Sequence, residues 1–170
     1  RVQNASGATV QGLEATGMTS LDRLTGWLGW QTGWMEALSL QANATLVDSS
    51  VELASQDLAT SADRPLQGQA DMVYNFQVGY EGGSHQVNLA LNHVGERLMI
   101  AGIQGQPDVY QQPVTYLDLS WRYAMTNALD LKLSAGNLLD TETELLQGGE
   151  IYRQTRDGRD LGLSVSYRLE

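Results

Sequence analysis

The sequence contains no cysteine, so neither a disulfide framework nor a thiolate metal site is open to it. It holds one lysine, Lys132, against a net charge of −10. Without a basic stripe to neutralise phosphates, nucleic acid is excluded as a partner. No apolar run approaches ~18 residues, so no segment reads as a membrane-crossing helix. Charge is scarce as well: Asp, Glu, Lys and Arg make up 18% of the chain, below the roughly 25% usual in soluble domains. No signal peptide is visible, since the chain opens on Arg1 and its first methionine is Met18. The 170 residues fit one domain, expected to be a piece of a longer protein.

What the chain does have is alternation. From Asp160 through Leu169 every odd position is apolar and every even position is polar or glycine. A period of two is the signature of a strand with two chemically different faces. Seven strands are predicted, over 8–15, 38–48, 71–80, 85–95, 114–123, 129–135 and 161–169. The first is the weakest, because Thr9-Val10-Gln11-Gly12-Leu13-Glu14 keeps no clean apolar phase. In the others one face is apolar (Leu38, Leu40, Leu46; Tyr74, Phe76, Val78; Val87, Leu89, Leu91; Leu117, Leu119, Trp121). The other face carries Asn, Gln, Ser, Asp and Arg.

The connections sort by length. Glu81-Gly82-Gly83-Ser84 and Met125-Thr126-Asn127-Ala128 read as tight turns, whereas 49–68, 96–113 and 138–159 read as long loops. Strands of about ten residues suit a tilted bilayer crossing. Short turns at one end and long loops at the other are the habit of outer-membrane barrels. Charges Arg122, Asp130 and Lys132 fall on the polar face. On a lipid face each would cost roughly 2–4 kcal/mol at the bilayer midplane. The fold expected is an all-β, antiparallel up-and-down meander of about seven transmembrane strands. Seven strands do not close a bacterial barrel of even strand number, so further strands are expected outside this sequence.

Several stretches then resemble one family. Asn4-Ala5-Ser6-Gly7-Ala8-Thr9-Val10-Gln11-Gly12-Leu13-Glu14 resembles a barrel strand of TonB-dependent outer-membrane receptors. Arg64-Pro65-Leu66-Gln67-Gly68-Gln69, followed by Tyr74-Asn75, resembles that family's entry from loop to strand. Pro107-Asp108-Val109-Tyr110-Gln111-Gln112-Pro113 is similar to the stretch before its next strand. Asn137-Leu138-Leu139-Asp140 resembles its Asn-Leu-Leu-Asp motif. Asp160, Gly162, Val165 and Tyr167 are spaced like the terminal signal read by the barrel-assembly machinery, although Leu169-Glu170 stand where the family ends on an aromatic residue.

The resemblance implies that residues 1–170 are the C-terminal third of a 22-stranded barrel, lacking the plug domain and the segment that contacts TonB. It implies location in the bacterial outer membrane, among lipid and lipopolysaccharide. It further implies import of a bulky, scarce nutrient of the iron-siderophore, cobalamin or carbohydrate class, with energy from TonB, no cofactor and no enzyme activity. Lumen-facing strand faces and the long loops would hold the ligand, with no particular substrate residue assigned. The alternative is a small stand-alone outer-membrane or soluble β-protein with a structural or binding role.

Three other groups of residues invite chemistry. Trp27, Trp30 and Trp34 share one helical face, which predicts a short amphipathic helix within 21–38 lying in a membrane interface. His85 and His93 sit at opposite ends of one strand, roughly 26 Å apart, too far to share a metal. Ser84, His85 and Asn92 are not placed to form a catalytic triad. Asp48, Glu52, Asp57 and Asp63, then Asp140, Glu142, Glu144, Glu150 and Asp157, lie in loops. They have no calcium-loop spacing and read as solvated faces. Arg153, Arg156 and Arg159 are interspersed with the later acids, where they meet an anionic chelate, lipopolysaccharide phosphates or neighbouring carboxylates.

Overall fold

A computed structural model describes residues 7–29, 33–53, 60–61 and 63–169. The protein is all-β apart from two short helical turns, and its sheets are antiparallel. The strands are β1 (Gly7–Ser20), β2 (Leu38–Glu52), β3 (Asp63–Arg64), β4 (Met72–Gly82), β5 (His85–Val94) and β6 (Arg97–Ile100). They continue with β7 (Val109–Gln111), β8 (Val114–Ala124), β9 (Leu129–Gly136), β10 (Glu142–Gln147), β11 (Glu150–Arg156) and β12 (Asp160–Tyr167). A large sheet runs in the order β1-β2-β4-β5-β8-β9-β12, with β3 added beside β2. Its path does not close on itself, and β1 and β12 form its edges.

All seven strands expected from alternation form this path. The weak first one is longer than its pattern indicates. β1 pairs with β2 from Gly7↔Glu52 to Ser20↔Ser39, so it takes its register from a strongly patterned neighbour rather than from its own side chains. Gly83, with φ +57°, makes the tight turn between β4 and β5.

Three loop expectations are corrected: within 49–68, β2 runs on to Glu52 and β3 holds Asp63, so Asp48, Glu52 and Asp63 lie on strands. The stretch 96–113 holds β6 and β7, and 138–159 holds β10 and β11. These four form a second sheet, ordered β11-β10-β7-β6, so the long connections are a folded cap. Glu142, Glu144 and Glu150, expected in a loop, therefore lie on strands. The connector between β1 and β2 is not one amphipathic helix over 21–38. It is a six-residue helix α1 (Leu21–Gly26) and a 3₁₀ turn (Gly33–Ala37), with Trp30 outside the described residues. Gly29, at φ +76°, breaks the helical course.

Burial is confined to the long-loop end. Among the described residues, Val51, Ala70, Leu98, Val109 and Val114 are the buried apolar ones, and all lie in the cap or at the adjoining strand ends. Among the described residues, the large sheet is a single layer without a core beneath it. The 18.6 kDa chain exposes 11749 Å², against about 8,200 Å² for a compact monomer of that mass.

Candidate functional site: the polar face and its mouth

The register turns the sequence pattern into two continuous surfaces. One row reads Thr19, Leu40, Val78, Leu89, Leu119, Ala135, Leu161 across the whole path from β1 to β12. The adjacent row reads Ser20, Ser39, Gly79, Asn88, Ser120, Ser134, Gly162. Neighbouring residues in a strand point to opposite faces, so the first row belongs to an apolar face and the second to a polar one. A Cβ on Gly162 would stand 2.5 Å from the Ser134 hydroxyl, so the glycine lets these two strands lie close on the polar side.

Rings gather near both ends of the apolar face. Toward the tight turns, His85 stacks on Tyr123 at 4.6 Å and on Trp121 at 5.8 Å, and the Trp121 indole N–H donates to His85 Nδ1 at 3.2 Å. Toward the cap, His93 stacks on Tyr74 at 4.4 Å, and its Nδ1 lies 2.8 Å from the Thr115 hydroxyl. The two histidines are each engaged with aromatic neighbours at opposite ends of β5. Ser84, His85 and Asn92 are not brought together.

The polar face is built from amides. Asn75 Nδ2 donates to Asn43 Oδ1 at 2.7 Å, and Asn92 Nδ2 donates to Asn75 Oδ1, making a ladder across β2, β4 and β5. Gln41 and Gln77 pair one row closer to the turns, and a cavity of about 250 Å³ lies over these amides. At the tight-turn end the face becomes charged. Gln86 donates to Glu81 at 3.0 Å, and Arg122 bonds Asp130 at 2.9 Å. Arg122 and Lys132 are register partners. Like charges opposed across strands repel, and Asp130 supplies the offsetting charge.

The residues quoted for their resemblance help to fasten the cap. Gly68, at φ +82°, donates its N–H to the Leu98 carbonyl at 2.7 Å, and Gln67 Nε2 donates to the Met99 carbonyl at 2.7 Å. Arg64 lies in β3 opposite Val51, with Pro65 following it. Asn137 takes φ +49°, its Oδ1 accepts the Thr141 N–H at 2.8 Å and its Nδ2 donates to the Gly158 carbonyl at 2.9 Å. Leu138 N–H donates to the Leu117 carbonyl at 2.8 Å. Asp140, at φ +55°, pairs with Arg156, which also reaches Glu142 at 3.3 Å. That guanidinium holds the Asp140 carboxyl below its ordinary value. Of the terminal-signal residues, Asp160 and Gly162 fall on the polar face of β12, and Val165 and Tyr167 are exposed on the apolar one.

The acids expected in loops are largely paired with donors. Gln154 donates to Glu142 at 2.6 Å and to Glu144 at 3.1 Å, and Asp63 accepts from Ser50 at 2.6 Å. Asp57 lies outside the described residues. Among the described residues, no three acids or histidines gather as a metal site.

Four residues at the mouth were given no site role from sequence: Glu96, and Asp108, Tyr110 and Gln112 of the stretch quoted for its resemblance. Glu96 lies two residues beyond Val94, and Gln112 two before its partner Val114. Both therefore continue the polar phase beyond the end of the large sheet, and Gln112 Nε2 donates to Glu96 at 3.4 Å. Phase extension alone would have found them. Asp108, 8% exposed, accepts the Gly102 N–H at 2.6 Å and the Ser61 hydroxyl at 2.9 Å. Burial, reinforced by the Asp108 charge, pushes the Tyr110 phenol up. With Thr60, Pro107 and Leu146, these groups line a cavity of about 550 Å³.

No protein-family model, no curated protein and no solved structure matches the chain.

Proposed function

We propose that the chain is the C-terminal part of the barrel of a TonB-dependent outer-membrane transporter, a 22-stranded barrel in that family. On this reading the apolar face meets lipid and the polar face lines the lumen. The tight turns face the periplasm and the cap faces outside. The supporting observation is the unbroken apolar row from Leu40 to Leu161 set beside an equally unbroken polar row. A single-layer sheet with one apolar face is unstable in water, and lipid is the solvent that suits such a face. The stacked His85, Trp121 and Tyr123 at one end and Tyr74 and His93 at the other fit interfacial girdles. The sheet edges at β1 and β12 need partner strands to satisfy their backbone groups in a bilayer.

The role proposed is import of a bulky nutrient with energy delivered through TonB. Partners would be lipid and lipopolysaccharide, the barrel-assembly machinery, and TonB through a plug-bearing region. The decisive experiment is recovery of the coding sequence upstream of Arg1. A plug and further amphipathic strands in frame are expected; a stop codon directly upstream followed by a genuine start would refute transport. The membrane part is tested by fluorescence of the chain in phospholipid vesicles. Brominated acyl chains should quench Trp121, and full quenching by aqueous iodide would reject a lipid-facing apolar row.

A further inference from the structure

The cavity at the mouth of the polar face has a chemistry of its own. Its hydrogen-bonding groups are the hydroxyls of Thr60 and Ser61, the carboxylates of Glu96 and Asp108 and the amide of Gln112. Its flat surfaces are the Tyr110 ring, Pro107 and Leu146, joined by the bare Gly148-Gly149 turn. A pyranose ring has the complementary form, with hydroxyls around its rim and C–H groups on its faces.

The geometry points to a binding site for an uncharged, polyhydroxylated ligand, an oligosaccharide by class, held between Tyr110 and the Glu96–Gln112 pair. Anions are disfavoured, because none of the described lining residues is basic and two are carboxylates. Cations gain less than two carboxylates alone would offer, because both Asp108 oxygens and one of Glu96 already accept from neutral donors. Asp108 takes a backbone N–H and a hydroxyl, and Glu96 takes the Gln112 amide. A ligand hydroxyl can join such a pattern as donor or acceptor, whereas an ammonium can only donate. The raised Tyr110 phenol keeps its proton and remains a donor at neutral pH.

The face leading away from the mouth is consistent with the same class. Below Glu96 and Gln112 come Val94 and Val114, then the Asn43–Asn75–Asn92 ladder, then Gln41 and Gln77. Amides spaced along a wall offer a donor and an acceptor at each step, which suits a chain of hydroxyls better than a compact charged chelate. The site rests on the transporter reading only for its outward orientation.

The full chain, refolded into phosphatidylcholine vesicles, is tested by equilibrium dialysis. The neutral probes are maltohexaose, cellohexaose and xylohexaose; ferric citrate is the anionic comparator and spermidine the cationic one. Saturable retention of at least one hexasaccharide is expected, with neither comparator competing. Gln112→Leu should weaken it at least tenfold. Tyr110→Phe, which keeps the ring and the cap packing, should weaken it a few-fold. Preferred retention of ferric citrate or spermidine, retention insensitive to both substitutions, or no retention of any hexasaccharide overturns the proposal. Carbonate extraction of the same vesicles keeps the two readings apart. A chain that resists extraction but binds no saccharide removes the site alone, whereas one that washes off removes the membrane reading.

Discussion

Asn137 does three things with one side chain. It occupies φ +49°, accepts from Thr141 and donates to Gly158. Asparagine tolerates the left-handed region better than most residues, and its two side-chain bonds tie the β9–β10 connection, at Thr141, to the β11–β12 connection, at Gly158. Asn137→Ala should therefore destabilise the cap by about 1–3 kcal/mol, through backbone strain and unsatisfied partners. The check is the exchange rate of the Thr141 amide, which should rise by roughly 5- to 150-fold. Asp140 adds a pH dependence. Its folded-state pKa is lowered, chiefly by its hydrogen bond to Arg156. Its contribution is therefore present above the ordinary carboxylate value of about 3.9 and is lost as pH falls through the lowered folded value. Protection of the β10–β11 amides should hold at pH 5 and fall toward the acid limit, and Asp140→Asn should remove that dependence.

At the scale of the element, the seven path strands differ in how much of their placement they carry themselves. β5 alternates cleanly, and a one-residue slip would exchange its faces. β1 has no such guard and depends on β2 for its register. Substituting Leu119, which sits between Leu89 and Ala135 on the apolar face, separates solvents. In lipid, Leu119→Arg should cost roughly 2–4 kcal/mol, read as a lower urea midpoint in vesicles, while Ser120→Asn on the polar face should leave it unchanged. In water the arginine would be harmless, so an unchanged midpoint for Leu119→Arg would reject the lipid assignment. The helical connector belongs to this scale too. Trp27 is 89% exposed, and transfer from water to vesicles should shift its emission to the blue if the connector lies in the interface.

For the whole molecule, the governing fact is an area. About 3,500 Å² more surface is exposed than a compact monomer of this mass would show, and the apolar face of the large sheet accounts for its chemistry. In detergent-free buffer the chain should therefore associate through that face and through the β1 and β12 edges. Sedimentation should give polydisperse aggregates in buffer and one species in micelles. A soluble monomer at micromolar concentration would exclude the membrane reading.

Alternation over seven to ten residues makes a strand legible without any structure, because each position votes for the same face. The path strands β2, β4, β5, β8, β9 and β12 were determined in this way, together with both tight turns and the chemistry of each face. The cap was not. β6 and β7 are too short to express a period, as Arg-Leu-Met-Ile and Val-Tyr-Gln illustrate. β7 becomes a strand only because β6 and β10 flank it with hydrogen-bonding edges. The same holds for the mouth: Glu96 and Gln112 keep the phase of their strands, but Ser61 and Asp108, which bond each other there, lie 47 residues apart in the chain. Local sequence fixes which way a side chain points along a strand. Only long-range backbone pairing, indifferent to side-chain pattern, decides which loops fold over the mouth and what they enclose.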